Sequence, residues 1–399
     1  MRELKLLVLL YALLVSVSTL HSQEIEEVLI TGSNLKDTEL DSSPIEQISS
    51  DDFDKFNINN IAEISKFLNS SSGSRFQTNA LEGVDQGMAS ITLRGLNQAS
   101  TLLLINSKRH TFAGTPSNDG EGYIDANIIP EIAFRNIEIL KEGATTAYGS
   151  DAVAGVINFK TYKEFEGFKI RFGDQTAENN NNKETNFGLL FGAKFLGLNA
   201  VFGFNQLDRS PFSASEIPQI AELAISGLGN TFILTDDDTV NDGLYAGEYT
   251  SGQVVPDPNC EQNGGILDGF CRFRYGTRFN LYNDENHNKI YLSLSNNNHD
   301  FTLLTSSVQV NDNPQSPSYP ALPFLSREIN PGEGGSPFNV PVRWLGRPLG
   351  AQYPSPLSPK DISQYHLSYS YLLALNNFEI DLSLTTSEHK NEHNRPDII

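Results

Sequence analysis

The 399-residue sequence predicts an α+β domain followed by antiparallel strands of a transmembrane β-barrel. Three observations predict it. A short apolar stretch with a positive start opens the chain. Mixed helix and strand signals then run to about Thr161. From Phe165 onward, short alternating segments replace them, and the connections between these segments alternate between short and long.

The opening stretch reads as an export signal. Arg2 and Lys5 precede an apolar run, Leu6 to Val17, and small polar residues follow to Ser22. That run is too short to cross a bilayer comfortably, so residues 1–22 are expected to be a signal peptide rather than an anchor. No later stretch reaches about 18 consecutive apolar residues, so no transmembrane helix is expected in the mature chain. The net charge of −21 argues against a nucleic-acid binder, which would need a basic face, and a solvated acidic surface is the ordinary reading of it. The two cysteines, Cys260 and Cys271, lie close together in a Gly- and Asn-rich region. In an exported chain they are expected to form a disulfide that clips a loop. No Cys or His partner stands at metal-ligand spacing from them.

The first half has a compact set of signals. Asn60 to Leu68 reads as a short amphipathic helix with Ile61, Ile64 and Leu68 on one face. Ser90 to Arg94 alternates like a strand. Leu102 to Ile105 is a continuous apolar run, as in a strand buried on both faces. Pro130 can open a helical turn, and Asn136 to Leu140 reads as another strand. Gly95, Gly143, Gly149 and Gly155 mark tight turns or close backbone approach.

The second half repeats one pattern. Phe168, Ile170 and Phe172 alternate with Lys169 and Arg171. The same alternation recurs over Leu198–Asn205, Ile290–Leu294, Tyr365–Tyr371 and Phe378–Thr385, and less cleanly over Phe187–Ala193 and Phe301–Val310. About seven strands result. Their connections run medium, short, very long, short, long, short. The short ones fall near Leu196-Gly197, Asn296–Asn298 and Asn376; the long ones cover roughly 206–286 and 311–359. Outer-membrane barrels have short periplasmic turns and long extracellular loops in strict alternation. A soluble β-sandwich, the competing architecture, has no reason to keep that parity. An apolar face opposite Lys, Glu, Asp and Ser suits lipid outside and water inside.

The first half also resembles the plug of TonB-dependent receptors. After the signal comes Ile25-Glu26-Glu27-Val28-Leu29-Ile30-Thr31-Gly32-Ser33, similar to the TonB box and leader of such receptors. Ile91-Thr92-Leu93-Arg94-Gly95-Leu96 resembles a plug strand with its Arg-Gly pair. Leu102 to Arg109 resembles the next strand and turn, with Ser107 where a turn glycine is common. The longest block runs from Ile137 to Phe159 and includes Lys141-Glu142-Gly143, Tyr148-Gly149, Asp151 and Gly155. The resemblance covers nearly all of residues 24–162 and is architectural only beyond them.

It implies four parts: signal peptide 1–22, TonB-box segment and linker 23–50, plug domain 51–163, and barrel strands with long extracellular loops over 164–399. It implies that Glu26, Glu27, Val28, Leu29, Ile30 and Thr31 add as a strand to the periplasmic energy-coupling protein TonB, by backbone hydrogen bonds. It implies that Arg94 and Lys141 form ion pairs between plug and barrel, with carboxylates beyond Ile399. Lys141 stands where Arg is frequent, which keeps the charge but loses the bidentate geometry. Gly95, Arg109, Gly143, Tyr148, Gly149, Asp151 and Gly155 are its further plug-motif positions. The implied partners are TonB, outer-membrane lipid and an extracellular small-molecule or chelate substrate, and the implied place is the outer membrane of a Gram-negative bacterium.

No nucleophile–base arrangement, nucleotide loop or cofactor motif is visible, so an enzyme is not expected and no cofactor or metal is assigned. His366 is expected on a strand, facing the lumen. His389 and His393, with Glu388 and Glu392, have the spacing of a helical metal pair but lie in a strand pattern. Asp236-Asp237-Asp238 reads as a solvated acidic loop rather than a Ca²⁺ site. Seven strands cannot close around a plug, since plugged transporters use about 22, so a fragment is expected. The alternative is an exported structural or adhesive β-protein without transport activity.

Overall fold

The computed structural model describes residues 45–394, apart from 57, 69, 72–85, 118–119, 178–181, 224, 228, 235–251, 275, 277–279, 313–326, 334–335, 347–356 and 376–377. The expected signal peptide, the segment Glu26–Thr31, Asp236–Asp238 and the connection at Asn376 lie outside the described residues.

The part that resembles a plug, called the plug below, comes first. Its strands are β1 (Ile45–Ser49), β2 (Thr101–Ile105), β3 (Lys108–Arg109), β4 (Phe134–Leu140) and β5 (Gly155–Thr161). They form one mixed sheet in the order β1-β4-β5-β2-β3. The pair β2–β5 is parallel and the others are antiparallel. Central strands β2 and β5 are covered on both faces, as their unbroken apolar runs require.

A helix over Ser50–Phe56 follows β1. Asp52 accepts hydrogen bonds from the Ser49 hydroxyl and backbone N–H, and the Ser49 hydroxyl accepts from Asp52 N–H in return. This reciprocal cap satisfies donors that a helix start leaves open. The Ser49 bonds hold the Asp52 carboxyl below its ordinary pKa. Phe53 is the helix's fully buried residue and packs edge-on against Phe134 at 4.3 Å.

Two local expectations are corrected. Ile61–Lys66 is a 3₁₀ turn rather than an α-helix, although Ile61, Ile64 and Leu68 do share the buried side. Ser90–Arg94 is not a regular strand; it makes a bridge between Leu93 and Ser71. Its backbone donors go elsewhere, Leu93 N–H to the Thr101 hydroxyl and Arg94 N–H to Ser70 C=O. Ser90 to Leu93 are all buried, so the alternation had no solvent side to record.

The wall is an antiparallel meander. It contains β6 (Gly167–Thr176), β7 (Lys183–Phe195) and β8 (Leu198–Arg209). Short loop strands β9 (Phe212–Ser213), β10 (Ile225–Ser226), β11 (Thr231–Leu234), β12 (Val254–Pro256), β13 (Ile266–Leu267), β14 (Cys271–Arg274) and β15 (Asn280–Tyr282) come next. Wall strands β16 (Asp284–Ser295) and β17 (His299–Asp312) precede loop strands β18 (Arg327–Ile329) and β19 (Val342–Leu345). The wall continues with β20 (Ser358–Leu375) and β21 (Phe378–His393). The seven long strands are neighbours in chain order. The two-residue turn Leu196-Gly197 has φ of 50° and 80°, the left-handed pair a tight hairpin needs.

One face of the wall points outward and is apolar: Phe168, Ile170, Phe172, Phe187, Phe191, Phe202, Ile290, Leu382 and Leu384 are all exposed. The opposite face is covered by the plug. On β16 it presents Glu285, His287, Lys289, Tyr291, Ser293 and Ser295. Leu190, Val201, Tyr291 and Leu304 of the wall join the core of the plug itself. Strands β7 and β17 alternate poorly in sequence because some of their inward residues, Leu190, Leu304, Val308 and Val310, are apolar too.

The outward band runs obliquely to the strand register. One row of partners runs Phe172, Phe187, Gln206, Asn288, Ser307, Ser363, Lys390. It starts apolar on β6 and ends charged on β21, whose last outward apolar residue is Leu384. The band therefore drops 390 − 384 = 6 residues over six strand-to-strand steps. With about 3.4 Å per residue and about 4.8 Å between strands, that slope is about 35°, inside the tilt range of outer-membrane barrels.

Candidate functional site: the plug–wall interface

Four of the expected plug-motif residues, Arg109, Tyr148, Gly149 and Asp151, fold into one corner beside the start of β5. Arg109 Nη1 bonds Asp151 Oδ2 at 2.6 Å, and its Nη2 donates to the Tyr148 carbonyl. A single helical turn, Thr145–Tyr148, and Gly149 (φ 84°) bring those partners round. Gly155 has φ 142°, and a Cβ there would sit 2.3 Å from the Leu140 carbonyl oxygen. Only glycine fits where β4 and β5 meet so closely. Gly143 is less tight: an added Cβ there would lie 3.1 Å from the Val153 carbonyl oxygen. Gly95 (φ 65°) follows Arg94 (φ 60°) in a left-handed turn.

Lys141 Nζ pairs with Glu46 Oε2 at 2.7 Å, tying β4 to the edge strand β1 inside the plug. The Arg94 side chain is exposed. The ion pairs that join plug to wall among the described residues use other side chains. Lys289 of β16 meets Glu131 of the plug at 2.6 Å, and both side chains are almost completely buried. Lys289 also donates to the Ile129 carbonyl, and the same Glu131 oxygen accepts from Ile61 N–H. Here the cation is on the wall and the carboxylate on the plug. Arg171 of β6 donates to the Phe53 and Ile58 carbonyls and faces Asp54 at 3.3 Å. Asn186 caps the Asn59 carbonyl, and Asn205 accepts from Ile132 N–H. The Tyr291 hydroxyl donates toward Thr161 and Tyr162 C=O, and Lys163 pairs with Asp300 at 2.7 Å.

A second attachment joins the plug to β20 and β21. Asp125 is fully buried. One of its oxygens accepts from Ala89 and Asn127 N–H, and the other meets Gln364 Nε2 at 3.0 Å and His389 Nε2 at 3.2 Å. His389 Nδ1 accepts from Gly114 N–H. Ser387 and Asn391, two residues to either side on the same face, bond Thr111 and Thr115. His389 is thus a wall-to-plug contact, and strand alternation puts Glu388 and Glu392 on the other face. Among the described residues no set of three His, Cys, Asp or Glu side chains is placed to hold a metal. His366 faces the plug rather than open water; it is fully buried, with its ring 5.5 Å from that of His110. Burial lowers the His110 pKa to about 4, against the opposing influence of Gln364 and Asp125.

At the long-loop end, the wall carries a buried charge cluster. Arg209 bonds Glu184 at 2.6 Å and Glu285 at 3.0 Å, and His287 lies 2.9 Å from Glu285. Beyond it, the two long loops share one four-stranded sheet, β12-β11-β19-β18, with β11 and β12 from one loop and β18 and β19 from the other. Phe232, Leu234, Val255, Ile329, Phe338, Val342 and Trp344 form its own core. Cys260 and Cys271 are disulfide-bonded, with Cα atoms 5.6 Å apart. Cys271 N–H donates to the Thr231 hydroxyl, which links the disulfide hairpin to β11.

Sequence reading missed Lys289, Glu131, Asp125 and His389 as interface residues. A lysine on the inward side of β16, among residues the alternation assigns to the lumen, was a usable signal for Lys289. Nothing local marked Asp125 or His389 as interface residues, because the partners they meet across the interface are more than 230 residues away in the chain.

Residues 38–156 match the TonB-dependent Receptor Plug Domain. The chain is 40% identical over 75 residues to an iron-regulated outer membrane virulence protein of Vibrio cholerae, covering 18% of this chain and 12% of that protein. It is 27% identical over 165 residues to the vitamin B12 transporter BtuB of Vibrio vulnificus, covering 40% of this chain and 25% of that protein. These matches span an eighth to a quarter of the relatives' lengths. Among solved structures, the ferric enterobactin receptor PfeA of Pseudomonas aeruginosa aligns over 88% of this chain and 41% of its own, with TM-score 0.48 and 13% identity. The family match on residues 38–156, their packing against seven antiparallel strands, and an outward apolar band at barrel tilt identify a TonB-dependent receptor plug domain beside strands of outer-membrane barrel type.

Proposed function

We propose that the protein serves energy-coupled uptake of an extracellular nutrient such as an iron chelate, cobalamin or a carbohydrate. The carrying observation is the plug seated against the wall through two polar attachments, one centred on Lys289–Glu131 and one on Asp125. A plug fixed only by apolar packing would have no discrete contacts to break. In this reading TonB pairs with Glu26–Thr31 and pulls on the chain that enters β1. That strand is five residues long and lies at the sheet edge, held by β4 and the Lys141–Glu46 pair. The long loops and the outer side of the plug receive the substrate. Arg94 and Lys141 as ion-pair partners of barrel carboxylates belong to the same proposal.

Deleting Glu26–Thr31 is expected to leave surface binding intact and to abolish growth on the nutrient as sole source. Unchanged growth would refute the coupling role. An adhesive β-protein would instead show no heat-modifiable migration on a detergent gel.

A further inference from the structure

Three buried side chains meet where the second attachment reaches β20: His110 of the plug, and Gln364 and His366 of the wall. Gln364 Nε2 donates to Asp125, which leaves Gln364 Oε1 to accept from His110 Nε2–H at 3.3 Å. That bond fixes the His110 tautomer. The bare ring position is Nδ1, which has no hydrogen-bond partner among the described residues and is sealed from solvent. Nothing larger than a proton can occupy it.

A proton there would leave a buried N–H without an acceptor. The ring facing His110, with centroids 5.5 Å apart, is His366 rather than a carboxylate. Neither nitrogen of His366 has a hydrogen-bond partner among the described residues. The ladder neighbours of His366 are Leu304 on β17 and Ser387 on β21, so neither strand places a counter-charge beside it. Lys108 and Arg109, next to His110 in the chain, are held by Asp381 and Asp151. Asp125 and His389 are the remaining titratable groups around His110 among the described residues. Burial dominates and brings the His110 pKa down to about 4, against Gln364 and Asp125 and with His389 adding to it.

We propose that this corner is an acid-sensitive latch: as pH falls, the attachment of the plug to β20 and β21 lets go while the Lys289–Glu131 attachment holds. The sign follows from linkage. The latched ring takes its proton only near pH 4, whereas a released ring in water takes it near the ordinary value of 6.5. Between those values release takes up a proton, so acid favours release. From pH 7 to pH 5 the released fraction is expected to rise about twentyfold through His110 alone. The Lys289–Glu131 attachment contains no histidine. The inference rests on the transport reading, since a latch matters only if the plug is released, but its test does not involve uptake, so the two can fail separately.

Release breaks two bonds from the plug backbone to β21, Thr111 N–H to the Ser387 hydroxyl and Gly114 N–H to His389 Nδ1. Amide hydrogen exchange on the full chain in detergent, corrected for its intrinsic pH dependence, reads both. Protection of Thr111 and Gly114 is expected to fall about twentyfold between pH 7 and pH 5. Ile61 N–H, bonded to Glu131, is expected to change less than about threefold over the same range. In His110→Gln the fall at Thr111 and Gly114 is expected to shrink below about threefold. The comparison of these amides with Ile61 in the native chain keeps the test valid if that variant fails to fold. Equal loss at Ile61 would mean general acid unfolding and would overturn the latch. A full fall that persists in His110→Gln would assign the response to His389 or Asp125 and overturn it equally, as would protection that stays flat in the native chain.

Discussion

At the residue scale, the chain solves one problem in an unusual way. The turn between β2 and β3 puts Asn106 and Ser107 in the left-handed region, with φ of 48° and 66° and no glycine. Side chains hold it there. Asn158 Oδ1 accepts from Ser107 N–H while its Nδ2 donates to the Ser107 hydroxyl, and Asn106 exchanges two hydrogen bonds with Thr161. Asn158→Ala is expected to cost about 1–3 kcal/mol, since it strands a part-buried backbone donor. Ser107→Gly is expected to be near neutral, because relief of left-handed strain offsets the lost hydroxyl. Urea unfolding of the detergent-folded protein measures both. Lys289→Met alone is expected to cost about 3–5 kcal/mol by leaving Glu131 buried without its cation, and adding Glu131→Gln to recover much of that. His110 supplies a pH test. Its folded pKa, about 4, is depressed below the unfolded value. Between those values the unfolded state binds more protons, so stability rises with pH there, by on the order of 3 kcal/mol in all. His110→Gln is expected to flatten the stability–pH profile in that window.

At the element scale, strands proved more readable than their packing. All seven wall strands showed in the sequence, because a lipid-facing side chain at every second position leaves period-two alternation. Their ends did not show. Strand β20 runs Ser358–Leu375 where alternation marked only Tyr365–Tyr371, since its outer residues turn polar above the apolar band while hydrogen bonding continues. The helix Ser50–Phe56 was missed, although Ser49 and Asp52 have capping-box spacing. The shared sheet of the two long loops was not legible either, since β11–β19 pairing spans about a hundred residues of weakly patterned chain. That sheet makes a prediction. Because β14 is tied through Thr231 to β11, and β11 pairs with β19, loosening one loop should loosen the other. Cys260→Ser/Cys271→Ser is expected to speed proteolysis at Arg343 in the second loop. Unchanged cleavage there would show that the loops move independently.

At the scale of the whole molecule, the plug and the wall are one packing problem. The plug block was legible because its glycines and turns are set by local backbone geometry, which sequence records. The plug–wall contacts were not, because Lys289–Glu131 and Asp125–His389 each join side chains more than 150 residues apart. What sequence and register together do give is the tilt of the wall. In the register row from Phe172 to Lys390, an upright wall would put every position at one depth. A wall tilted by about 35° puts Phe172 in lipid, and Ser307 and Lys390 in water. The native cysteines are bonded to each other, so one introduced cysteine is a unique thiol. Phe172→Cys in liposomes is expected to resist a membrane-impermeant maleimide and to be quenched by lipid-soluble oxygen when spin-labelled. Ser307→Cys and Lys390→Cys are expected to react quickly. Equal reactivity along the row would mean that the apolar band follows the register, and the wall would then not be tilted as a barrel requires.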